Sequence, residues 1–157
     1  MHSARPDASP EILPVCLETD CGQIVRLLHR AFEDIAREMG LTPESWRGQL
    51  GGKDAACLGI RADGEWVGFV AVAPHRDSYE ITRLAVAPEY RHRGYGRRLM
   101  DAACDRARAM GLAEIGLGMA DANKVLKRWY EAQGFVADES FTPPGLPYAV
   151  CGMLKKL

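Results

Sequence analysis

The sequence predicts an α/β domain with a mixed central sheet of about six to seven strands, flanked by about four helices. A length of 157 residues suits one domain with one hydrophobic core. The first half contains three strand-like runs in direct succession, and the second half alternates strand-like with helix-like runs. The first pattern predicts antiparallel neighbours, and the second predicts a parallel pair joined by a helix.

The beginning of the chain predicts one strand and two helices. Ile12–Leu17 is a short apolar run, which indicates a strand. Apolar residues recur at helical spacing in Gly22–Glu38, which predicts an amphipathic helix. Thr42-Pro43-Glu44 places Pro at the first helical position, where helices favour it, so a second helix is expected from there to about Leu50.

Three strands connected by short turns are expected next. Ala56–Arg61 and Trp66–Ala73 flank Ala62–Glu65, which contains the Asp-Gly pair typical of hairpin turns. Tyr79–Val86 follows after a polar link. These runs predict an antiparallel meander.

The second half predicts two helices and three strands. Gly96–Ala109 and Asn123–Gln133 have helical apolar spacing, and each is followed closely by glycine. Strands are expected at Ala113–Met119, Phe135–Asp138 and Tyr148–Leu154.

Composition argues against several classes of function. The net charge is −1 at pH 7, which provides no strong attraction to nucleic acid or an anionic membrane. No apolar run is long enough to span a bilayer, and residues 1–10 are interpreted as a disordered lead-in to one domain at residues 11–157. The five cysteines lack CxxC spacing, so we expect no metal site and reduced thiols in the cytoplasm.

The most informative segment is Arg91–Arg98, where a strand runs into a turn with Gly94 and Gly96 before a helix. The first amides of a helix lack internal partners and, with the helix dipole, form an anion site suited to a pyrophosphate. The segment has neither the Gly-Lys-Ser/Thr of a phosphate-binding loop nor the third glycine of a dinucleotide fingerprint, where Leu99 stands. The alternative is a glycine-rich turn with a solvated basic face. Positive charge there comes from Arg91, Arg93, Arg97 and Arg98.

The motif Arg91-x-x-Gly94-x-Gly96, after a strand and Pro88, resembles the acetyl-CoA signature of the GNAT superfamily of N-acetyltransferases. A second segment agrees. Asn123 is followed by Tyr130 on the next helix and then by a Gly-Phe strand start, as in the later motif of that family. The order of strands and helices from Ile12 to Leu154 also matches.

The resemblance implies the GNAT fold, in which the two central strands splay apart in a V. Pantetheine enters the V like an added strand and bonds to the main chain near Leu84, Ala85 and Val86. Arg91 would anchor the turn. Backbone amides for the pyrophosphate would come from His92, Arg93, Gly94, Tyr95, Gly96 and Arg97. The alternatives are ordinary strand core and solvated arginine side chains.

Two residues of the second motif have both a functional and a structural interpretation. Tyr130 matches a tyrosine near the CoA sulfur, whose phenol donates a proton to the leaving thiolate, but its spacing also fits a core aromatic. Asn123 matches a residue that contacts the pantetheine or adenosine arm, and asparagine also favours helix N-caps.

Glu80 is the candidate base, at the distance from the glycine turn where several relatives carry a catalytic glutamate. An acceptor amine is mostly ammonium at neutral pH, so a base must remove a proton before it attacks the thioester. The alternative is a rim carboxylate paired with Arg83 or Arg76. Relatives that acetylate protein N-termini use a carboxylate on the next strand, and that position here is Gly118.

The resemblance places the acceptor between Ala31–Leu50 and Phe141–Tyr148. Four acidic side chains there could attract an amine, although a solvated helix face is the more common explanation of such a run: Glu33, Asp34, Glu38 and Glu44. Aromatic side chains suggest a small apolar pocket: Phe32, Trp46, Phe141 and Tyr148. We therefore expect direct transfer from acetyl-CoA to a small amine or amino-acid-like acceptor, by a monomer or homodimer. A protein amine and a non-catalytic acyl-CoA sensor are the alternatives, and an RNA-binding module is disfavoured by the lack of interleaved aromatics.

Overall fold

The computed structural model describes residues 10–34, 37, 40, 42, 55–75 and 78–157. Within these residues the chain forms seven strands and three α-helices, apart from a 3-10 turn at Pro88–Tyr90. In chain order they are β1 (Ile12–Pro14), α1 (Leu17–Ala31), β2 (Ala56–Ala62), β3 (Glu65–His75), β4 (Ser78–Val86), α2 (Tyr95–Ala109), β5 (Glu114–Ala120), α3 (Lys124–Ala132), β6 (Val136–Phe141) and β7 (Val150–Lys156).

The seven strands form one mixed sheet in the order β1-β2-β3-β4-β5-β7-β6. Neighbouring strands are antiparallel except β4 and β5, which run parallel and are joined through α2. A parallel pair needs such a crossover, because its strands begin at the same edge of the sheet. The expected mixed sheet and the meander of β2, β3 and β4 are confirmed.

The β2–β3 hairpin turns where the sequence indicated. Asp63 and Gly64 both have positive φ, at 52° and 79°. Two such residues in succession suit the type I′ turn, whose twist matches that of the flanking strands. The local sequence therefore determines this hairpin.

The first junction differs from the expectation. The predicted strand Ile12–Leu17 ends at Pro14, and the helix predicted from Gly22 begins at Leu17. The Cys16 carbonyl accepts the amide of Asp20 at 2.8 Å, which starts the helical hydrogen bonding. Early acidic residues also favour a helix N-terminus, so α1 takes in residues that the apolar run assigned to the strand.

Three helices have described bounds, against about four expected, and Glu33, Asp34 and Arg37 are also helical. The additional helix predicted at residues 42–50 lies outside the described residues, apart from Thr42. Residues 1–9 of the predicted lead-in also lie outside them.

Helix α2 packs closely on the sheet. Its inward face is fully buried, including Leu99, Met100 and Ala103. A Cβ on Gly68 of β3 would come within 3.0 Å of Leu99 Cδ1, so glycine at that position permits the close approach of α2. Burial of one such leucine contributes about 1.5–3 kcal/mol. This packing fixes the N-terminus of α2 at the end of β4.

Candidate functional site

The sheet opens between its two central strands. The parallel ladder of β4 and β5 ends at the pair of Ile81 with Leu117. Beyond it, β4 continues to Val86 and β5 to Ala120, each pairing only with its outer neighbour. The two strands therefore diverge in the expected V, and the inner edge of β4 is open.

A β-bulge lies where the opening begins. Ile81 pairs with Val72 and Arg83 with Ala71, so Thr82 is an extra residue on β4. The Thr82 hydroxyl donates to the Ala71 carbonyl at 3.2 Å. A bulge bends its strand and increases the local twist, which turns the rest of β4 away from β5.

Backbone polar groups line the open edge of β4 at alternate residues. The Ala87 amide donates to the Val67 carbonyl of β3 at 2.8 Å. Opposed pairs in an antiparallel ladder alternate between bonded and non-bonded, so Ala85 directs its amide and carbonyl to β3, and Leu84 and Val86 direct theirs into the cleft. Of the three residues predicted to bind pantetheine, Leu84 and Val86 thus direct their backbone groups into the cleft, whereas the backbone groups of Ala85 bond to β3.

The glycine turn follows β4 with two residues in the left-handed region. Gly94 has φ of 81° and is the N-cap of α2, and His92 has φ of 63°. A positive φ is uncommon for a residue other than glycine, and such strain concentrates at functional sites. The Gly94 carbonyl accepts the Arg98 amide at 3.1 Å, so the earlier amides of α2 precede the internal hydrogen bonds and point outward.

The arginines of the turn have different contacts. Arg91 donates to the Val86 carbonyl at 3.3 Å and to the Ala31 carbonyl at 2.9 Å, which ties the turn to β4 and to α1. Arg93 lies over the Tyr90 ring, with 5.0 Å from its guanidinium carbon to the ring centroid. Arg97 is exposed at the first turn of α2.

Arg98 serves a different purpose. Its guanidinium donates to the Pro10 carbonyl and is partly buried. This side chain therefore holds the start of the described chain against α2. The positive charge around the turn therefore comes from Arg91, Arg93 and Arg97.

Helix α3 closes the cleft next to the glycine turn. A Cβ on Gly96 would lie 3.4 Å from Trp129 Cζ2 and 3.9 Å from Val86 Cγ2. The Trp129 ring packs edge-on against Tyr130, with their centroids 5.2 Å apart. The end of β4, the start of α2 and the side of α3 meet at this point, which brings the two sequence motifs together.

Tyr130 is buried on α3, with 7% of its surface exposed. Its ring also packs edge-on against Phe135 at 5.7 Å. Burial raises the pKa of the Tyr130 phenol to about 12, because the phenolate would lose its hydration. The side chain is therefore a core aromatic and a neutral hydrogen-bond donor at physiological pH, so both interpretations of it are compatible with the structure.

Asn123 is the N-cap of α3. Its side-chain oxygen accepts the amide of Leu126 at 3.1 Å. The residue thereby fulfils the structural alternative, and its side-chain amide nitrogen is not used by that bond.

Glu80 lies on β4 beside the start of the V, with 38% of its side chain exposed. Its partner is His75, whose Nδ1 lies 3.5 Å from the carboxylate, rather than Arg83. The other expected partner, Arg76, lies outside the described residues. His75 was missed in the sequence because it becomes a neighbour only through the hairpin register, in which it pairs with Ser78.

The acidic residues after α1 face solvent. Arg37 lies 3.6 Å from Glu33 and 3.5 Å from Asp34, and all three side chains are at least two-thirds exposed. This arrangement matches the solvated helix face rather than an amine site. Phe141 is largely exposed on β6, whereas Tyr148 is half-buried. Phe32 is half-buried at the C-cap of α1. Three further residues named for the acceptor site lie outside the described residues: Glu38, Glu44 and Trp46.

Comparison with known proteins agrees with this geometry. Residues 22–135 match the acetyltransferase (GNAT) family. The mycothiol acetyltransferase of Propionibacterium freudenreichii subsp. shermanii is 32% identical over 126 residues, which cover 75% of this chain and 40% of that protein. The chain thus spans less than half the length of that curated relative.

Solved structures share the fold across nearly the whole chain. The PaiA N-acetyltransferase of Thermoplasma acidophilum, in complex with coenzyme A, has a TM-score of 0.75 and 23% identity, over 96% of this chain and 100% of that one. The ribosomal-protein-S18-alanine N-acetyltransferase of Escherichia coli has a TM-score of 0.76 and 18% identity, over 93% and 92% of the two chains.

The V between β4 and β5 and the glycine turn at the start of α2 are both present, as the resemblance implied. The chain belongs to the acetyltransferase (GNAT) family, and this prediction is confirmed. None of the helices in the described ranges is long and apolar enough to cross a membrane.

Proposed function

We propose that this chain is an N-acetyltransferase that transfers the acetyl group of acetyl-CoA to the primary amine of a small or amino-acid-like acceptor. One observation supports this most: the open edge of β4 leads directly into the outward-facing amides at the start of α2. An extended chain with two amides that ends in a pyrophosphate fits such a path. We assign the activity to a single domain at residues 11–157.

The residues of the cleft and of the glycine turn fit the pantetheine and pyrophosphate parts of acetyl-CoA. Leu84 and Val86 offer a carbonyl and an amide each toward the cleft, which suits the pantetheine amides, although Val86 shares its carbonyl with Arg91. The amides of His92–Arg97 and the helix dipole suit the pyrophosphate. Arg91 positions this turn through two carbonyls rather than through the ligand. Asn123 lies at the start of α3, where its free amide nitrogen is offered to the pantetheine arm.

The reaction forms one bond and breaks one. The amine lone pair attacks the thioester carbonyl, the new C–N bond forms and the C–S bond breaks, with direct transfer in a ternary complex. Glu80 accepts the proton that the ammonium loses before attack, and then the second proton that the nitrogen loses as the amide forms. Its position next to the exposed His75 gives both protons a route to solvent. A main-chain amide at the open edge of β4 stabilises the developing oxyanion.

Tyr130 acts on the leaving sulfur. Its phenol has a pKa of about 12, well above that of a thiol, near 8.5, so complete transfer of its proton to a thiolate is uphill. A hydrogen bond from the neutral phenol still stabilises the charge that develops on sulfur. We therefore assign Tyr130 as the donor to the thiolate, and the proton that finally resides on CoA comes from solvent.

Relatives support acetyl transfer in general. A mycothiol acetyltransferase is similar to most of this chain, and a GNAT family acetyltransferase from Elizabethkingia anophelis with acetyl-CoA bound shares its fold with a TM-score of 0.73. We place the protein in the cytoplasm, which suits its five free cysteines.

The test is an acetyl-CoA screen against a broad amine panel, with thiol release measured and the product identified by mass. Release that depends on a small amine and yields its acetamide supports the proposal. Gly94→Glu, which places a negative charge at the pyrophosphate position, serves as the inactive control. Tight acetyl-CoA binding without turnover of any small amine or peptide would instead identify a sensor, and turnover of peptides alone would indicate a protein acceptor.

A further inference from the structure

Arg83 and Glu80 lie on the same face of β4. Arg83 pairs with Ala71 and Glu80 pairs with Ala73, and these two alanines are alternate residues of β3 that point to one side. The bulge at Thr82 makes this possible, because without it residues three apart would face opposite sides. The Cα atoms of the two charged residues are therefore about 7 Å apart along the strand.

This face is the one turned away from α2. The Tyr79 hydroxyl accepts a hydrogen bond from Arg106 of α2 at 3.1 Å, so the neighbouring side chain of Glu80 points to the opposite side of the sheet. Arg83 follows Glu80 there, deeper along the open part of β4. The candidate base and a guanidinium thus flank the same stretch of the cleft.

Arg83 is partly removed from water. Its side chain is half-buried, and burial lowers the pKa of its guanidinium. Tyr148, on the loop between β6 and β7, is an electrostatic neighbour that opposes this shift. Arginine stays protonated in such sites, so the cleft contains a positive charge with reduced hydration. The Arg83 guanidinium also donates a hydrogen bond to the Thr82 carbonyl.

We propose that Arg83 binds a carboxylate on the acceptor next to the amine that Glu80 deprotonates. The inference rests on the proposed acetyl transfer and specifies its substrate class as a zwitterionic amino acid. Both charges of such an acceptor meet opposite charges on one strand face: its ammonium meets Glu80, and its carboxylate meets the planar fork of Arg83.

The experiment compares matched acceptors that differ only at the carboxylate. Wild-type enzyme is assayed with L-amino acids, with their α-amides and with the corresponding decarboxylated amines. The expected kcat/KM is about ten- to a hundredfold higher for the amino acids, as for one charge-assisted pair, with most of the difference in KM. Equal use of the three series would overturn the inference while leaving acetyl transfer intact.

Variants attribute the preference to the side chain. Arg83→Met should remove it by lowering kcat/KM for amino acids alone, Arg83→Lys should retain part of it, and the affinity for CoA should not change. Arg108→Met, at the exposed end of α2, is the matched arginine control and should behave as wild type. A preference that survives Arg83→Met contradicts the inference.

Wild-type binding provides a measurement that needs neither variant folding nor turnover. Amino acids should bind to the CoA-loaded protein by calorimetry at least tenfold more tightly than their α-amides. No turnover in any series would contradict the proposed function, and this binding difference would then still decide the role of Arg83. Equal binding of acids and amides excludes it.

Discussion

The position of a Cβ on Gly96 lies 3.4 Å from Trp129 Cζ2 and 3.9 Å from Val86 Cγ2. The first turn of α2 thus has room for a methyl group only if the Trp129 ring yields slightly. It has no room for a longer side chain directed toward the end of β4. Size at this position therefore determines whether the turn keeps its shape.

Substitution of Gly96 should lower CoA affinity by an amount that depends on the size and charge of the new side chain. Gly96→Ala should retain affinity within about tenfold, because a methyl group there meets Trp129 Cζ2 at 3.4 Å and displaces the ring only slightly. Gly96→Glu should lower affinity at least about a hundredfold, because it adds bulk and places like charge beside the pyrophosphate. Calorimetry with CoA measures both variants, and full affinity in Gly96→Glu would remove the turn from the binding site.

Alanine substitutions at Gly94 and Gly111 should strain the backbone to a similar extent, so the second serves as a control for the first. Both have positive φ, at 81° and 75°, and a Cβ on either would meet nothing within 4 Å. Alanine at either position should cost about 1–2 kcal/mol of stability by denaturant unfolding. Only Gly94→Ala should also weaken CoA binding, because Gly111 lies at the other end of α2. A similar loss of affinity in both variants would mean that stability, not the turn, is responsible.

Tyr130→Phe should slow turnover more than it changes the KM for acetyl-CoA, because the phenol stabilises charge only as the C–S bond breaks. The pKa of the phenol is near 10 unfolded and about 12 folded, so its stabilising contribution is full below pH 10 and is lost as pH rises toward 12. The difference in unfolding free energy between wild type and Tyr130→Phe should therefore be constant below pH 10. It should shift by up to about 3 kcal/mol in favour of phenylalanine above it.

Variants at Asn123 separate its two roles. Asn123→Ala removes the hydrogen bond to the Leu126 amide and should cost about 1 kcal/mol of stability. Asn123→Asp preserves the cap but lacks the amide nitrogen proposed to contact pantetheine. It should fold as stably as wild type and bind CoA more weakly. Wild-type affinity in Asn123→Asp would leave this residue with the capping role alone.

Glu80→Gln should lower kcat at neutral pH and approach wild type at high pH, where a lysine-like amine with a pKa near 10.4 loses its proton without a base. Rate profiles from neutral pH to about pH 10 make the comparison. Glu65→Gln, at the exposed start of β3, is the carboxylate control and should follow the wild-type profile. An equal reduction at every pH in Glu80→Gln would assign proton removal to another group.

The local features of the site could be predicted from the sequence because short-range chemistry decides them. Gly94 permits the left-handed turn, Asp63-Gly64 closes a hairpin, and Asn123 caps the helix that follows it. The predicted start of the first helix, at Gly22, is wrong: α1 begins at Leu17, inside the apolar run Ile12–Leu17 that the sequence pattern assigned to a strand.

The relationships between distant segments required the tertiary structure. Spacing and backbone preference act within a few residues, so they were enough to predict the mixed sheet, the meander and the glycine turn. Three relationships are visible only in the structure. The strand β4 separates from β5 after Ile81, and Trp129 packs against Gly96. The bulge at Thr82 brings Arg83 to the same strand face as Glu80. Strand register and helix packing are set by contacts far apart in the chain, and one extra residue in a strand reverses the direction of every side chain after it.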